Sequence, residues 1–162
     1  MERIKKSIEV DRPLSHVYNQ WTQFEEFPRF MEGVKEVRQL DDQRLHWRAD
    51  IGGKEKEWTA KIIEQIPDDR IAWRSESGEY TSGLVDFARL GTDRTRVALE
   101  ISYDPKGFIE NAGDAVGLVS RRIKNDLEHF KEFIENRGQE TGAWRGTIRE
   151  GHRSTSQKND IE

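Results

Sequence analysis

The chain has 162 residues and a formal net charge of −4, with 33% hydrophobic and 36% charged residues, a size typical of one domain. It has no cysteine, which excludes disulfides and thiol chemistry. Lysine and arginine are interspersed with acidic residues, so nucleic acid is not an expected partner. Since no apolar run is long enough to span a membrane and no signal peptide is present, we expect a cytoplasmic protein without a membrane span.

The first predicted elements are a strand and two short helices. Alternation over residues 3–10 predicts the strand, and Pro13 begins the first helix. Aromatic residues then recur at every third position, at Tyr18, Trp21, Phe24, Phe27 and Phe30. A step of three drifts by about 60° around a helix, so one straight helix cannot place all five on one face. We therefore predict a second short helix, capped by Thr22 with Glu25 and broken near Pro28.

The middle of the chain predicts six antiparallel strands joined by tight turns. The clearest hairpin has a two-residue loop at Gly52-Gly53. This loop pairs Ile51 with Lys54, and the same register places Trp47 opposite Trp58 on the apolar face. The later turns are too short to contain a crossover helix.

The apolar period becomes helical from about Phe108 and stays so for about 27 residues, until Gly138. Residues on the apolar stripe are small at the start of this helix and bulky at its end. We therefore predict a pocket between the sheet, the two short helices and the first two turns of the long helix. The predicted ligand-binding residues are Phe27, Phe30, Trp47, Trp58, Trp73, Phe87, Leu99, Tyr103, Phe108, Ala112, Ala115 and Val116. The strand tryptophans Trp47, Trp58 and Trp73 fit ordinary core positions equally well, whereas for Phe27 and Phe30 a core position is the favoured interpretation; the sequence leaves both interpretations open.

Residue patterns for metal or nucleotide chemistry are not found. The four histidines are scattered, without the spacing of metal ligands. Gly113 and Gly117 are not followed by the Lys-Ser/Thr of a phosphate-binding loop. We therefore expect no metal and no cofactor. The weak candidates for acid–base catalysis are Tyr103, Asn111 and Asp114, although each such residue more often satisfies a local hydrogen bond.

Residues 138–162 form a polar tail that we expect to be flexible and separate from a ligand-binding domain at residues 1–137. The apolar residues of this tail are Ala143, Trp144, Ile148 and Ile161. So little apolar surface does not offset the entropy of ordering a chain unless the chain docks on something. The sequence therefore predicts that the tail contributes little to folding.

Several segments resemble the START-like, helix-grip superfamily, in its polyketide cyclase/dehydrase (SRPBCC) group. They are YNQWTQFEEFPRFM (18–31), W-x-A-x-I-G-G (47–53), RIAWRS (70–75), TRVALEISYDP (95–105) and HFKEFIE (129–135). The resemblance implies an α+β fold in which a curved seven-stranded antiparallel sheet wraps a long C-terminal helix around a cavity. It also implies binding of lipids, quinones, polyketides or hormones, with cyclase activity in some members. It supplies no shared catalytic motif.

Three functions remain open on the sequence. The first is a noncatalytic binder or carrier of a small hydrophobic or amphipathic molecule. The second is a cofactor-free cyclase or dehydratase acting on such a ligand. The third is an interaction module that binds a protein partner through the tail, with Trp144 as anchor.

Overall fold

The structure is a computed structural model that describes residues 2–51, 53–78, 80–104, 115–149 and 152–154. The described residues form a curved antiparallel sheet, one long helix and two short helices, which confirms the predicted helix-grip class. The elements in chain order are β1 (Glu2–Val10), α1 (Leu14–Trp21), a 3₁₀ helix (Phe24–Arg29), β2 (Val34–Gln39), β3 (Arg44–Ile51), β4 (Lys54–Ile66), β5 (Arg70–Gly78), β6 (Thr81–Gly91), β7 (Arg94–Tyr103), α2 (Ala115–Arg137), β8 (Thr147–Arg149) and β9 (His152–Ser154).

Seven strands form the main sheet in the order β1-β7-β6-β5-β4-β3-β2, and every neighbouring pair is antiparallel. The β3–β4 hairpin has the predicted register, with Ile51 opposite Lys54 and Trp47 opposite Trp58. The two indoles lie side by side at 5.8 Å with an interplanar angle of 8°. Both rings are therefore held on the same face of the sheet by the turn that joins their strands.

The aromatic residues with the three-residue spacing form the centre of the core. All five are buried; Tyr18 and Trp21 lie on α1, Phe24 and Phe27 on the 3₁₀ helix, and Phe30 directly after it, so the segment forms two short helices as predicted. Trp21 packs edge-on against Phe27 at 5.4 Å and against Phe130 of α2 at 4.9 Å. These contacts join the short helices to the long one, and each such pair adds about 0.5–1.5 kcal/mol beyond the burial of its surface.

The predicted capping of the second helix by Thr22 is wrong. The cap position of the 3₁₀ helix is Gln23, which makes no capping hydrogen bond through its side chain. The hydroxyl of Thr22 instead donates to the carbonyl oxygen of Asn19 at 2.6 Å and accepts from the N–H of Trp144 at 3.1 Å. It also accepts from Nε2 of Gln23 at 3.1 Å, and none of these hydrogen bonds involves a backbone N–H of the 3₁₀ helix.

Residues 140–149, which we call the strap, pack against α1 and β4. Thr141 and Gln20 exchange two hydrogen bonds, of 2.8 and 3.0 Å. Ile148 is fully buried and pairs with Gln65 of β4. In contrast to the expectation of a flexible tail, we propose that the strap is a docked part of the fold, because a single buried isoleucine and matched polar partners on α1 favour its docking. Residues 155–162 lie outside the described residues.

Charged contacts secure the middle of the strap. Arg145 forms an ion pair with Asp68 at 2.7 Å and donates to the side-chain oxygen of Asn19 at 2.5 Å. Its guanidinium also lies 5.4 Å from the centre of the Tyr18 ring. We therefore propose that the folding unit extends to Arg149 rather than ending at residue 137.

Within the described ranges, no helix combines the length and the apolar content needed to cross a membrane.

Candidate ligand-binding site

A cavity of about 160 Å³ lies between the sheet, the two short helices and the first turns of α2. The sequence predicts the pocket beside the first two turns of a helix beginning near Phe108, which lie largely outside the described residues; the described α2 residues on the wall are Leu118, Val119, Arg122, Ile123 and Asp126. The residues that line the cavity are mostly apolar: Trp21, Phe27, Met31, Val34, Trp47, Ala49, Trp58, Trp73, Thr81, Leu99, Ile101, Tyr103, Leu118, Val119, Arg122, Ile123 and Asp126.

The structure brings half of the predicted ligand-binding residues together around this cavity. These are Phe27, Trp47, Trp58, Trp73, Leu99 and Tyr103. Their assembly follows from strand alternation, since inward positions of β3, β4 and β7 meet the 3₁₀ helix across the core. We propose that these residues contact a ligand.

Two predicted residues lie away from the cavity wall. Phe87 packs edge-on against Tyr18 at 5.3 Å, so it supports α1. Phe30 packs between Phe130 at 5.2 Å and Phe133 at 5.3 Å, at the far end of α2. Both rings are core residues because the helices cover them, a distinction that strand or helix periodicity does not reveal.

The other predicted residues fall at the beginning of the long helix. Phe108, Asn111, Ala112 and Asp114 lie outside the described residues. Ala115 and Val116 are the first two residues of α2, and their side chains also lie outside the described part of the chain.

Four tryptophans line the cavity, and one of them depends on a glycine for its position. Trp73 lies opposite Gly83 across the β5–β6 ladder. A methyl carbon added at Gly83 would lie 2.6 Å from Cε2 of Trp73, far inside contact distance. The absence of a side chain at Gly83 therefore makes room for the indole.

One end of the cavity wall is polar, and it is built on the turn that precedes β2. Nη1 of Arg122 donates to the carbonyl oxygens of Glu32 at 3.1 Å and of Asp50 at 3.2 Å. Gly33, with a φ of 92°, lets the guanidinium approach this closely, since an added Cβ would lie 2.9 Å from the Cζ of Arg122. The guanidinium thus ties the first turns of α2 to the ends of β2 and β3.

Asp126 follows Arg122 by one helical turn and is buried, with 8% of its surface exposed. Burial raises the pKa of the Asp126 carboxyl from 3.8 to about 7, although the Arg122 charge and the backbone N–H of Glu32 act in the opposite direction. Its Oδ1 atom has no hydrogen-bond partner among the described residues. A carboxyl with a pKa near neutrality is able both to give and to take a proton at physiological pH.

Sequence reasoning missed Arg122 and Asp126 and placed the acid–base candidates earlier on the same helix. A signal was available, because Asp126 lies three residues after Ile123 and four before Phe130, on the same helix face as the apolar stripe. A carboxylate at such a position faces the core, and this pattern commonly marks a functional or paired group. Tyr103, the one predicted candidate that the structure describes, is 2% exposed and lines the same cavity.

A metal centre is not found in the part of the chain that the structure describes, where no three His, Asp or Glu side chains come close enough to hold an ion.

The chain belongs to the family described as polyketide cyclase / dehydrase and lipid transport, whose pattern it matches over residues 10–132. A 17.2 kDa protein of Streptomyces lincolnensis, itself uncharacterised, is 49% identical over 149 residues. That match covers 91% of this chain and 99% of the relative.

Solved structures of similar fold include several bacterial proteins. A protein from Deinococcus radiodurans is 25% identical with a TM-score of 0.67, covering 84% of this chain and 98% of its own. The Zhui aromatase/cyclase of a Streptomyces species is 19% identical with a TM-score of 0.71, covering 88% and 99%. A START superfamily protein from Mycobacterium smegmatis is 17% identical with a TM-score of 0.66, covering 83% and 95%. The last two likenesses concern the fold.

Proposed function

We propose that the protein binds a small, planar, mainly apolar molecule in the cavity between the sheet and α2. The observation that carries this proposal is the cavity itself, which is lined by Trp21, Trp47, Trp58 and Trp73. Family membership supports binding of a small hydrophobic molecule, and the polyketide-like, quinone or lipid classes that it suggests all contain such apolar parts.

The size and the walls of the cavity favour a ring over a bulkier shape. An engineered apolar cavity of about 150 Å³ in another protein binds benzene, so about 160 Å³ accommodates one aromatic ring. The parallel indoles of Trp47 and Trp58 offer flat faces or edges to such a ring, and offset or edge-on aromatic contacts are favourable.

Catalysis on the bound molecule is the second candidate function, and Asp126 is the observation that favours it. Because the Asp126 carboxyl has a pKa of about 7 on the wall of an apolar cavity, it has the properties of a general acid or base. A dehydration or cyclisation would need a proton moved at the ring, whereas a carrier would not. Product formation from an added substrate that Asp126→Asn abolishes would identify an enzyme.

The binding proposal is tested by titrating the full chain with para-xylene, a single-ring probe. Binding is measured by isothermal titration calorimetry and by tryptophan fluorescence. Ala49 lines the cavity and is 3% exposed, so Ala49→Leu should fill part of the space. We expect saturable binding to the wild type, and an affinity at least about tenfold lower in the variant because the ring no longer fits.

Ala98→Leu is the matched control, since Ala98 lies on β7 with its side chain on the opposite face from Leu99. This variant should bind para-xylene as the wild type does. Absence of binding to the wild type, or equal binding to the Ala49→Leu variant with its fold intact by circular dichroism, would contradict the proposal.

A further inference from the structure

We infer that the cavity selects a ring that carries a hydroxyl group, with the ring beside the Trp47–Trp58 pair and the hydroxyl at the end formed by Arg122 and Asp126. The inference rests on the proposed function, because it names the chemical class of the molecule bound at that same site. It follows from three features of the cavity wall: an unpartnered buried carboxyl oxygen, the spacing between the polar and aromatic parts, and the balance of charge.

The first feature is the hydrogen-bonding state of Asp126. Its Oδ1 is buried without a partner in the described part of the chain, and the residue is more than nine-tenths buried. A buried polar atom without a partner destabilises a protein, and a group that supplies the missing hydrogen bond recovers that free energy. A ligand hydroxyl is suited to this, since it donates to a carboxylate and accepts from a neutral carboxyl group.

The second feature is the spacing of the two ends of the site along β3. Asp50, whose carbonyl oxygen accepts from Arg122, follows Trp47 by three residues, or roughly 10 Å of strand. Between them the wall is Ala49, the small side chain that lines the cavity. A single ring with one polar substituent has a length that suits this interval.

The third feature is charge. The charged groups that act on Asp126 are Arg122 on its own helix and Glu32 on the turn packed against it. An ammonium group at this end would be attracted by Asp126 and Glu32 but repelled by Arg122, and a carboxylate the reverse, so in both cases the attraction is offset while the charge still loses its hydration. A neutral hydroxyl meets neither repulsion and is able to pair with Asp126 in both of its protonation states.

The experiment compares para-cresol, para-xylene and benzylamine by calorimetric titration of the full chain. Para-cresol and para-xylene differ by a hydroxyl in place of a methyl group, so their ratio of affinities isolates the hydrogen bond. We expect para-cresol to bind about tenfold or more tightly than para-xylene, and benzylamine to bind least tightly.

Asp126→Leu should reduce the ratio of the two affinities to near one while para-xylene still binds. Glu128→Leu, which replaces an exposed carboxylate on the same helix, should leave the ratio unchanged. Asp126→Asn keeps a hydrogen-bonding group and should retain part of the preference, which provides a second test if the leucine variant fails to fold.

Equal affinities of para-cresol and para-xylene for the wild type would overturn this inference and leave the binding proposal standing. Failure of all three probes to bind would instead contradict the proposed function. If benzylamine bound most tightly, the inference of a hydroxyl group would be overturned, and the polar end of the site would be assigned to a cationic group.

Discussion

Gly83 fixes the position of one wall of the cavity, because the indole of Trp73 occupies the space that a side chain would take. Gly83→Ala should displace the ring, destabilise the fold by about 1–3 kcal/mol and lower the affinity for para-xylene, since a rigid indole has no easy alternative rotamer. Thermal unfolding and titration by tryptophan emission measure the two effects.

Gly91→Ala is the matched control on the same strand, where an added Cβ would lie 3.9 Å from its nearest neighbour, the Cβ of Arg94. It should change stability by less than about 0.5 kcal/mol. Equal effects of the two substitutions would show that the position of Trp73 does not depend on Gly83.

Asp126 should make the stability of the protein depend on pH. The carboxyl pKa is about 7 in the fold and about 3.9 in the unfolded chain, so the folded state binds the proton more tightly. The free energy of unfolding should therefore fall as pH rises from about 4 to about 7, by up to roughly 4 kcal/mol, and this contribution should then level off.

Thermal unfolding of the wild type and of Asp126→Asn across that pH range measures the effect, because the variant has no group to titrate at this position. The difference between their melting temperatures should change as pH rises from about 4 to about 7 and stay constant above that, whereas Glu128→Gln should follow the wild type. Parallel curves for the wild type and Asp126→Asn would show that the Asp126 pKa is not raised.

At the scale of elements, the hairpin of β3 and β4 was predictable because two independent patterns agree on one register. The Gly52-Gly53 turn places Trp47 opposite Trp58, and the alternation of apolar residues on each strand independently puts both indoles on the apolar face. When local turn chemistry and hydrophobic period agree, few alternative pairings remain. The antiparallel sheet could be predicted because the tight turns exclude crossover helices, and the helix-grip class is what the resemblance of the quoted segments implies.

The candidate site was less predictable, because it depends on which buried groups face a cavity and which face the rest of the core. Phe87 and Leu99 look alike on their strands, yet Phe87 packs beneath α1 and Leu99 lines the cavity. The polar end was missed because Asp126 is one of many charged residues on the long helix, and its sequence neighbours Lys124, Asn125 and Glu128 are polar as well. The backbone of the Glu32–Gly33 turn hydrogen-bonds to Asp126 and Arg122, and sequence spacing does not predict that this turn lies against the long helix.

The proposed docking of the strap depends on partners that its low apolar content does not reveal. Ile148 alone supplies a fully buried side chain, and the exchange of hydrogen bonds between Thr141 and Gln20 satisfies a buried amide on α1. The stability of a docked segment depends on the hydrogen-bonding and packing partners that the rest of the fold offers it. The composition of the segment alone gives no information about those partners.

At the scale of the whole molecule, the strap should stabilise the entire fold. A chain that ends after Arg137 loses the buried Ile148, the Arg145–Asp68 ion pair and the partners of Gln20, which is itself fully buried. Loss of a buried isoleucine costs about 2–5 kcal/mol and an unsatisfied buried amide about 1–3 kcal/mol. We therefore expect the melting temperature to fall by at least about 5 °C. Because α1 carries Trp21 on the cavity wall, affinity for para-xylene should fall as well.

A chain that ends after Ser154 retains every described strap contact and should melt like the full chain. An unchanged melting temperature in the chain ending after Arg137 would place the boundary of the folding unit at residue 137 after all.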